Sequence, residues 1–411
     1  MQLLKSMGTP ELTIDYKRNP SPIERWGARF LLKAAKNPPV TLILSNGEAI
    51  GGVGVAPMVR LRLRRRDAVF RLLLDPVVCF GDLYSREELE VEGDLARFLE
   101  HMYRLGVDRG FGLLSTLRAI FQRLRVDNEV LTRHYDLGND FYRLWLDRAM
   151  QYSCAYYSTP GSDLDQAQTA KMDHICRKLR LAPGERVIEA GCGWGGLAIH
   201  MARRYGVRVI AYNISSQQLR FAQIQAARLG LSDQVAFVQD DYRNIRGECD
   251  AFVSVGMLEH VGKERYSTLG GVIDRCLTGR GRGLIHSIGR VKPAATNIWI
   301  NKRIFQGAHA PSLQELMAIL EPWSFAALDI ENLRPHYVKT LEAWLQRFEA
   351  IQDRIVADHG QQFFRAWHLY LCGSLAAFRV GDLQLYQVLF SRPQCDRFPL
   401  TRGSLYADFQ T

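Results

Sequence analysis

Apolar residues recur along this chain at two different spacings, and the change from one to the other divides it. In PIERWGARFLLKAAK, residues 22 to 36, they fall three and four apart, the period of a short amphipathic helix. Strand-like runs follow in VTLILSNGEA, VRLRLR and AVFRLLL, with Asn46-Gly47 between apolar residues as a turn signal. From Ser85 onward the pattern turns helical, and DLARFLEHMYRL again carries its apolar residues three and four apart. The polar stretch RVDNE, Arg125 to Glu129, reads as a connection. It sets a smaller α+β amino-terminal domain at residues 1–127, with a helical linker, and the main domain at residues 128–411.

The main domain alternates. A helix is expected from about Ser162 to Leu179. RVIEAG then reads as a strand, GGLAIHMARRY as a helix, VRVIAYNIS as a strand, SQQLRFAQIQAARLG as a helix and VAFVQDDY as a strand. CDAFVSVGMLEHV and RGRGLIHSIG supply further strands. Alternation at these lengths implies an α/β fold, a mostly parallel sheet with helices on both faces. Functional loops then belong at the carboxyl ends of the strands.

Composition narrows the classes. A chain of 411 residues that is 47% hydrophobic has ample material for a core, which excludes general disorder. No apolar run approaches the roughly 18 residues of a membrane span. The first residues lack a hydrophobic segment followed by a small-residue cleavage site, so a cytoplasmic location is expected. Eight cysteines without paired or metal-like spacing fit reduced thiols, and no H-E-x-x-H run is present; no metal is expected. The net charge of +10 favours an anionic partner, either nucleic acid or an acidic lipid surface, and no nucleic-acid module is recognisable in the chain. RLRLRRRD, Arg60 to Asp67, is the densest basic patch. It reads as a strand with arginines on one face, either a solvated edge or a lipid-facing surface.

EAGCGWGG places Gly191, Gly193, Gly195 and Gly196 between a strand and a helix. Such glycines let the backbone turn tightly and approach a ligand, and the helix amino end offers unpaired N–H groups. Gly191, Gly193 and Gly196 also satisfy the G-x-G-x-x-G spacing of dinucleotide sites, so spacing alone does not choose the nucleotide. Asn213 stands where a ribose-binding acid would be expected, which weakens the case for NAD.

The motifs MQYSCAYY, EAGCGWGG, SVGMLEHVG, WINKRIF, ENLRPHY and LQLYQVLFSR occur in this order. With them the chain resembles the cyclopropane-fatty-acyl-phospholipid synthases, the family that includes the mycolic acid cyclopropane synthases, within the class I S-adenosylmethionine methyltransferases. The resemblance runs from HYDLGNDFY at His134 to Arg392. FGDLYSREELEVEGDL is loosely similar to the amino-terminal domain of the bacterial, phospholipid-acting branch. The resemblance implies a Rossmann-like catalytic domain behind a front domain that is lipid-associated or dimer-supporting. It further implies unsaturated phospholipids as substrate, at an anionic surface on the inner face of a membrane, and it admits a homodimer.

The reaction so implied is transfer of a methyl group from S-adenosylmethionine to a cis double bond, then loss of a proton and ring closure, with bound bicarbonate as proton acceptor. The family's bicarbonate ligands match Cys154, Glu259, His286 and Tyr337, with the backbone of Ile288. His286 and Tyr337 can donate hydrogen bonds, and Glu259 can orient a protonated partner or accept the anion's own proton. Taken singly, these are ordinary residues: a buried cysteine, a strand-end histidine, a core tyrosine. Their weight comes from standing together. For the donor, the resemblance assigns Tyr152 and Ser153 to the methionine carboxylate region, and Gly191, Gly193 and Gly195 to the nucleotide. It assigns Asn213 and Gln218 to the ribose side, and Asp241 and Tyr242 to the adenine, with Asp240 an alternative acceptor. His134 and Asp136 are expected to close over the donor, and His260 to support the site.

Two places depart from the family pattern. IEAGCGWG has Glu189 where LDIGCGWG is usual, and FQGAHAPS stands for FPGGYLPS in the loop that lines the lipid entrance. Relatives with similar sites make methylene- or methyl-branched chains, so a branched product is the alternative outcome.

Overall fold

The computed structural model describes residues 20–52, 56–106, 137–395 and 398–406. The chain forms two compact units, one of Met1–Asp127 with His359–Leu369, the other of Asn128–Asp358 with Tyr370–Thr411. His134, Asp136 and the RVDNE connection lie outside the described residues.

The first unit carries a four-stranded sheet in the order β2-β1-β3-β4. Its strands are β1 (Val40–Ile43), β2 (Ala49–Gly51), β3 (Val59–Leu63) and β4 (Leu89–Gly93). β1 and β2 form the expected hairpin, with Gly47 at φ 92°, a conformation glycine adopts without penalty. Helix α1 (Pro22–Ala34) opens on a capping box between Ser21 and Glu24, with proline in its first turn. AVFRLLL is not the strand its apolar run suggests but helix α2 (Ala68–Leu74). Such a run cannot distinguish a buried strand from a short helix. Here Ala68 and Leu72, four apart, face inward with Val69, and Asp75-Pro76 ends the helix by starting α3 (Pro76–Ser85). α2 lies so close to α1 that a Cβ on Gly27 would come within 2.9 Å of the Val69 side chain.

β4, within LEVEG, interrupts the helical stretch expected after Ser85, before α4 (Leu95–Leu105). The segment His359–Leu369 groups with this unit through Arg365. That buried guanidinium donates to the carbonyls of Tyr84 at 2.5 Å and Leu89 at 2.8 Å, pairs with Glu90 and lies over the Tyr84 ring.

In the second unit the sheet has seven strands in the order β10-β11-β9-β8-β5-β6-β7. These are β5 (Arg186–Ala190), β6 (Arg208–Asn213), β7 (Val235–Gln239), β8 (Cys249–Val255), β9 (Leu277–Gly289), β10 (Ala326–Asn332) and β11 (Gln384–Ser391). β5 to β9 run parallel, and β11 and β10 add antiparallel strands beside β9. Both faces are covered, as the near-continuous apolar strands require: Ile188, Phe252 and Phe390 pack in one core, Val187, Val209 and Leu284 in the other. After β5 the chain builds outward through β6 and β7, then returns to β8 on the other side of β5. That reversal leaves a crevice at the carboxyl ends of β5 and β8, where open α/β sheets bind ligands.

Candidate functional site

The glycine loop leaves β5 at Ala190 and enters the helix Gly196–Tyr205. Gly191, Gly193 and Gly195 all have positive φ, but they serve different ends. A Cβ on Gly195 would stand 2.7 Å from the side chains of Ala222 and Phe237, so packing demands glycine there. A Cβ on Gly191 would meet Met257. Around Gly193 nothing lies within 4 Å, and the backbone there borders open space. Asn213, at the end of β6, donates to the Gly193 carbonyl at 3.1 Å and to Gln218 Oε1 at 2.8 Å. Gln218 is thus buried and fixed, not a solvated helix residue.

Asp241 has both carboxylate oxygens engaged by Arg243, at 2.8 and 2.9 Å, and this pairing lowers its pKa. Asp240 accepts through Oδ1 from Asp241 N and Asn244 Nδ2, and among the described residues Oδ2 takes no hydrogen bond. Tyr242 is partly buried, with its hydroxyl unpartnered among the described residues.

The YSCAYY loop crosses the same crevice. The Tyr152 hydroxyl shares a hydrogen bond with Tyr370 at 2.8 Å, and its ring packs against Tyr142, Trp145 and Trp344. Ser153 Oγ accepts from the Lys171 ammonium at 3.1 Å, and Lys171 also donates to Gln151. Lys171 is fully buried, as is Glu189. Burial lowers the one and raises the other, each partly offsetting that shift in its neighbour. Burial pushes the Glu189 carboxyl up to about 8, so near neutral pH the acid at the strand end is mostly protonated. Of the two remaining tyrosines, Tyr156 is stacked between His174 and His336, a packing role.

Cys154 is completely buried, and its thiol lies 3.2 Å from the Ala155 carbonyl and 4.0 Å from that of Leu333. Burial raises its pKa, so it stays a thiol and is no nucleophile. Tyr337, in the first turn of the helix Arg334–Ala350, donates its N–H to the same Leu333 carbonyl at 3.2 Å. Burial raises the Tyr337 hydroxyl far above its ordinary range, and Tyr370, Cys154 and Glu259 add to the shift.

Glu259 lies in the 3-10 turn Leu258–His260, after β8. Its Oε1 accepts the Ile288 N–H at 2.6 Å. Its Oε2 is buried without a partner among the described residues, the nearby Ser287 hydroxyl being turned to the Ile288 carbonyl. Burial pushes the carboxyl up to about 7. His286, two residues before Ile288 on β9, is held by its cross-strand neighbour Gln387, whose amide nitrogen lies 3.0 Å from Nδ1. With the Gln387 amide in this orientation Nδ1 accepts and the ring proton sits on Nε2; the flipped amide, which would also give the unpartnered Gln387 Oε1 a partner, sets the opposite tautomer. That Nε2 is buried and unpartnered, and burial keeps the ring neutral.

The structure thus gathers Cys154, Glu259, His286 and Tyr337 at the carboxyl edge of the sheet. The Ile288 N–H is bonded to Glu259 and so orients that carboxyl. His260 is exposed, its ring 5.7 Å from that of Phe305. Sequence reasoning missed Gln387, Lys171 and Tyr370. Gln387 alone had a signal, a polar residue amid the apolar run of LQLYQVLFSR. Among the described residues no cluster of histidine, cysteine, aspartate and glutamate could hold a metal ion.

A family model described as mycolic acid cyclopropane synthetase matches residues 122–388. The chain is 40% identical over 304 residues to cyclopropane-fatty-acyl-phospholipid synthase of Escherichia coli K12, covering 74% of this chain and 76% of that one. It is 32% identical over 391 residues to a probable fatty acid methyltransferase of Pseudomonas putida, covering 90% and 96%. Among solved structures, a cyclopropane synthase from Mycobacterium tuberculosis superposes with TM-score 0.61 at 26% identity, over 64% of this chain and 98% of that one. A mycolic acid cyclopropane synthase complexed with SAH and CTAB gives 0.60 at 28% identity, over 66% and 99%.

Proposed function

The chain belongs to the family of cyclopropane fatty acid and mycolic acid cyclopropane synthases, S-adenosylmethionine-dependent methyltransferases of class I, and on that premise we propose the reaction its site is built for. The substrate is a phospholipid with a cis-unsaturated acyl chain. The sulfonium carbon–sulfur bond breaks as the π electrons of the double bond form a new carbon–carbon bond to the methyl. A cation is left on the neighbouring carbon. Loss of a proton from the new methyl frees the electron pair that closes the three-membered ring. Bicarbonate, when bound, supplies the base that takes this proton.

One observation supports the reading: Glu259 Oε2 and His286 Nε2, both at the carboxyl end of the sheet, are buried with no hydrogen-bond partner among the described residues. On Glu259 the proton belongs on Oε2, because Oε1 accepts the Ile288 N–H; on His286, with the Gln387 amide oriented as described, it belongs on Nε2. Buried donors are rarely left unpaired, and a small oxyanion would satisfy both. Cys154, protonated and turned to backbone carbonyls, closes the floor without adding charge. The rings of Tyr152, Tyr337, Trp344 and Phe378 wall the cluster, exclude water and present faces suited to a passing cation.

For the donor, the open backbone at Gly193 and the pair Asn213–Gln218 support the nucleotide and ribose. Asp240, which keeps one oxygen available, is the better adenine acceptor, and Tyr242 packs beside it. Lys171, behind Ser153, gives the positive field that a methionine carboxylate needs.

Glu259 makes this testable through pH. With a carboxyl near 7, it is a neutral donor below that value and a second anion above it. We expect the affinity for free bicarbonate to be level below about pH 6 and to fall toward tenfold per pH unit above about pH 7. Glu259→Gln, which keeps a donor and cannot ionise, flattens that profile. Initial rates in carbonate-depleted buffer, titrated with bicarbonate from acid to mildly alkaline pH, measure it. No stimulation by bicarbonate at any pH contradicts the anion site; stimulation with a level wild-type profile contradicts the role of Glu259.

A further inference from the structure

The arginine-rich strand was one candidate for a lipid-facing surface, and three of its arginines are paired within their own unit. β3 lies inside its sheet, between β1 and β4. Arg62 pairs with Glu92 at 2.7 Å, Arg64 with Glu90 at 3.0 Å and Arg65 with Asp67 at 2.8 Å. Most of its charge is neutralised by acids of the same unit.

Helix α1 is different. Ile23, Trp26 and Phe30 are exposed at 62%, 61% and 39%, spaced three and four apart so that they form one stripe. The rings of Trp26 and Phe30 stack at 5.4 Å. Arg29 and Lys33 project beside this stripe, both exposed, and neither makes an ion pair among the described residues. The sole acid of the helix, Glu24, is buried and spent on the capping box. The opposite face, Gly27, Ala28 and Leu32, is buried in the unit. α2 adds Phe70 and Leu74, exposed at 38% and 64%, next to the residues that pack on α1.

We infer that the exposed face of α1, with Phe70 and Leu74 of α2, docks the enzyme on an anionic bilayer, the aromatic and aliphatic side chains entering the interface and Arg29 and Lys33 meeting lipid phosphates. Soluble surfaces seldom group apolar side chains of this size, and tryptophan with flanking basic residues on one helix face is the composition of interfacial helices. The free cations select the partner: a second copy of this face would bring Arg29 and Lys33 against their own kind. Among the described residues no helix is long and apolar enough to cross a membrane. The inference rests on the proposed reaction only in that a bilayer lipid has to be reached.

The test is co-sedimentation of the full chain with phosphatidylglycerol-containing or pure phosphatidylcholine vesicles, without methyl donor. Wild-type protein is expected to bind the anionic vesicles at least tenfold better, and less as salt rises. Trp26→Glu with Phe30→Glu lowers binding at least tenfold; Arg29→Gln with Lys33→Gln removes the preference for anionic lipid; Arg60→Gln on β3 changes neither by more than about twofold. Brominated lipid quenches wild-type tryptophan fluorescence, and Trp26→Phe loses that quenching while still binding. All variants are expected to match wild type in circular dichroism and in turnover of detergent-dispersed phospholipid. Unaltered binding by the double glutamate variant overturns the inference, as does a shift of that variant from dimer to monomer with vesicle binding intact. Wild-type protein that binds vesicles but does not methylate dispersed phospholipid contradicts the reaction and leaves the surface standing.

Discussion

Tyr337→Phe lowers turnover by about a hundredfold to a thousandfold, the usual cost of removing one preorganised donor from a charge-stabilising site. The affinity for the methyl donor stays within about threefold, since in the proposed reaction the missing hydroxyl serves the anion and not the nucleotide. The substitution is clean. The ring still packs against Phe378 at 4.5 Å and Trp344 at 5.9 Å, and the N–H to Leu333 is untouched. The same hydroxyl is held protonated by burial, so no ionised form of it takes part. Rapid-quench turnover with calorimetric donor binding on one preparation measures both quantities. Equal losses in turnover and donor affinity would place Tyr337 with the nucleotide instead.

Gly193→Ala separates binding from folding in the opposite sense. Its φ of 54° costs an alanine about 1–2 kcal/mol, a fall of several degrees in Tm for a unit of this size. Nothing protein-made lies within 4 Å of the added methyl, so no further destabilisation is expected. On the proposed placement of the donor the methyl instead occupies the space where the nucleotide approaches the backbone, and donor affinity is expected to fall about a hundredfold. Gly195→Ala gives the contrast. Its Cβ would press on Ala222 and Phe237, so it loses about 3 kcal/mol of stability or more. Isothermal calorimetry and thermal unfolding on the two variants resolve the pair. A Gly193→Ala protein that binds donor normally would move the nucleotide elsewhere.

The catalytic sheet was legible because its strands are buried on both faces and read as apolar runs between amphipathic helices. The front unit was less so. AVFRLLL has no periodicity that favours helix over strand, and β4 hides in LEVEG, whose alternation is too short to stand out from the helices beside it. The arginines of β3 looked available because their partners on β4 lie about thirty residues away and pairing across a sheet leaves no local signal. In the site, the motifs named Cys154, Glu259, His286 and Tyr337. What each does depends on distant chain. Gln387, 101 residues beyond His286, bonds its Nδ1, so the orientation of that amide sets which imidazole nitrogen holds the proton. The Ile288 N–H fixes Glu259, a relation visible only once β9 and the turn after β8 are set side by side.

Ring closure is the central claim, and product analysis tests it most directly. The enzyme is incubated with vesicles of phospholipid bearing cis-monounsaturated chains and S-adenosylmethionine, unlabelled in one reaction and trideuteromethyl-labelled in another. Mass alone does not suffice, because a ring and a methylene branch have the same composition. The account predicts upfield cyclopropane methylene protons in the unlabelled product, and two deuteriums retained from each labelled methyl, the third having gone to the base. Olefinic methylene signals without ring signals, or a product that keeps all three deuteriums, would contradict it and establish a branched acyl chain in its place.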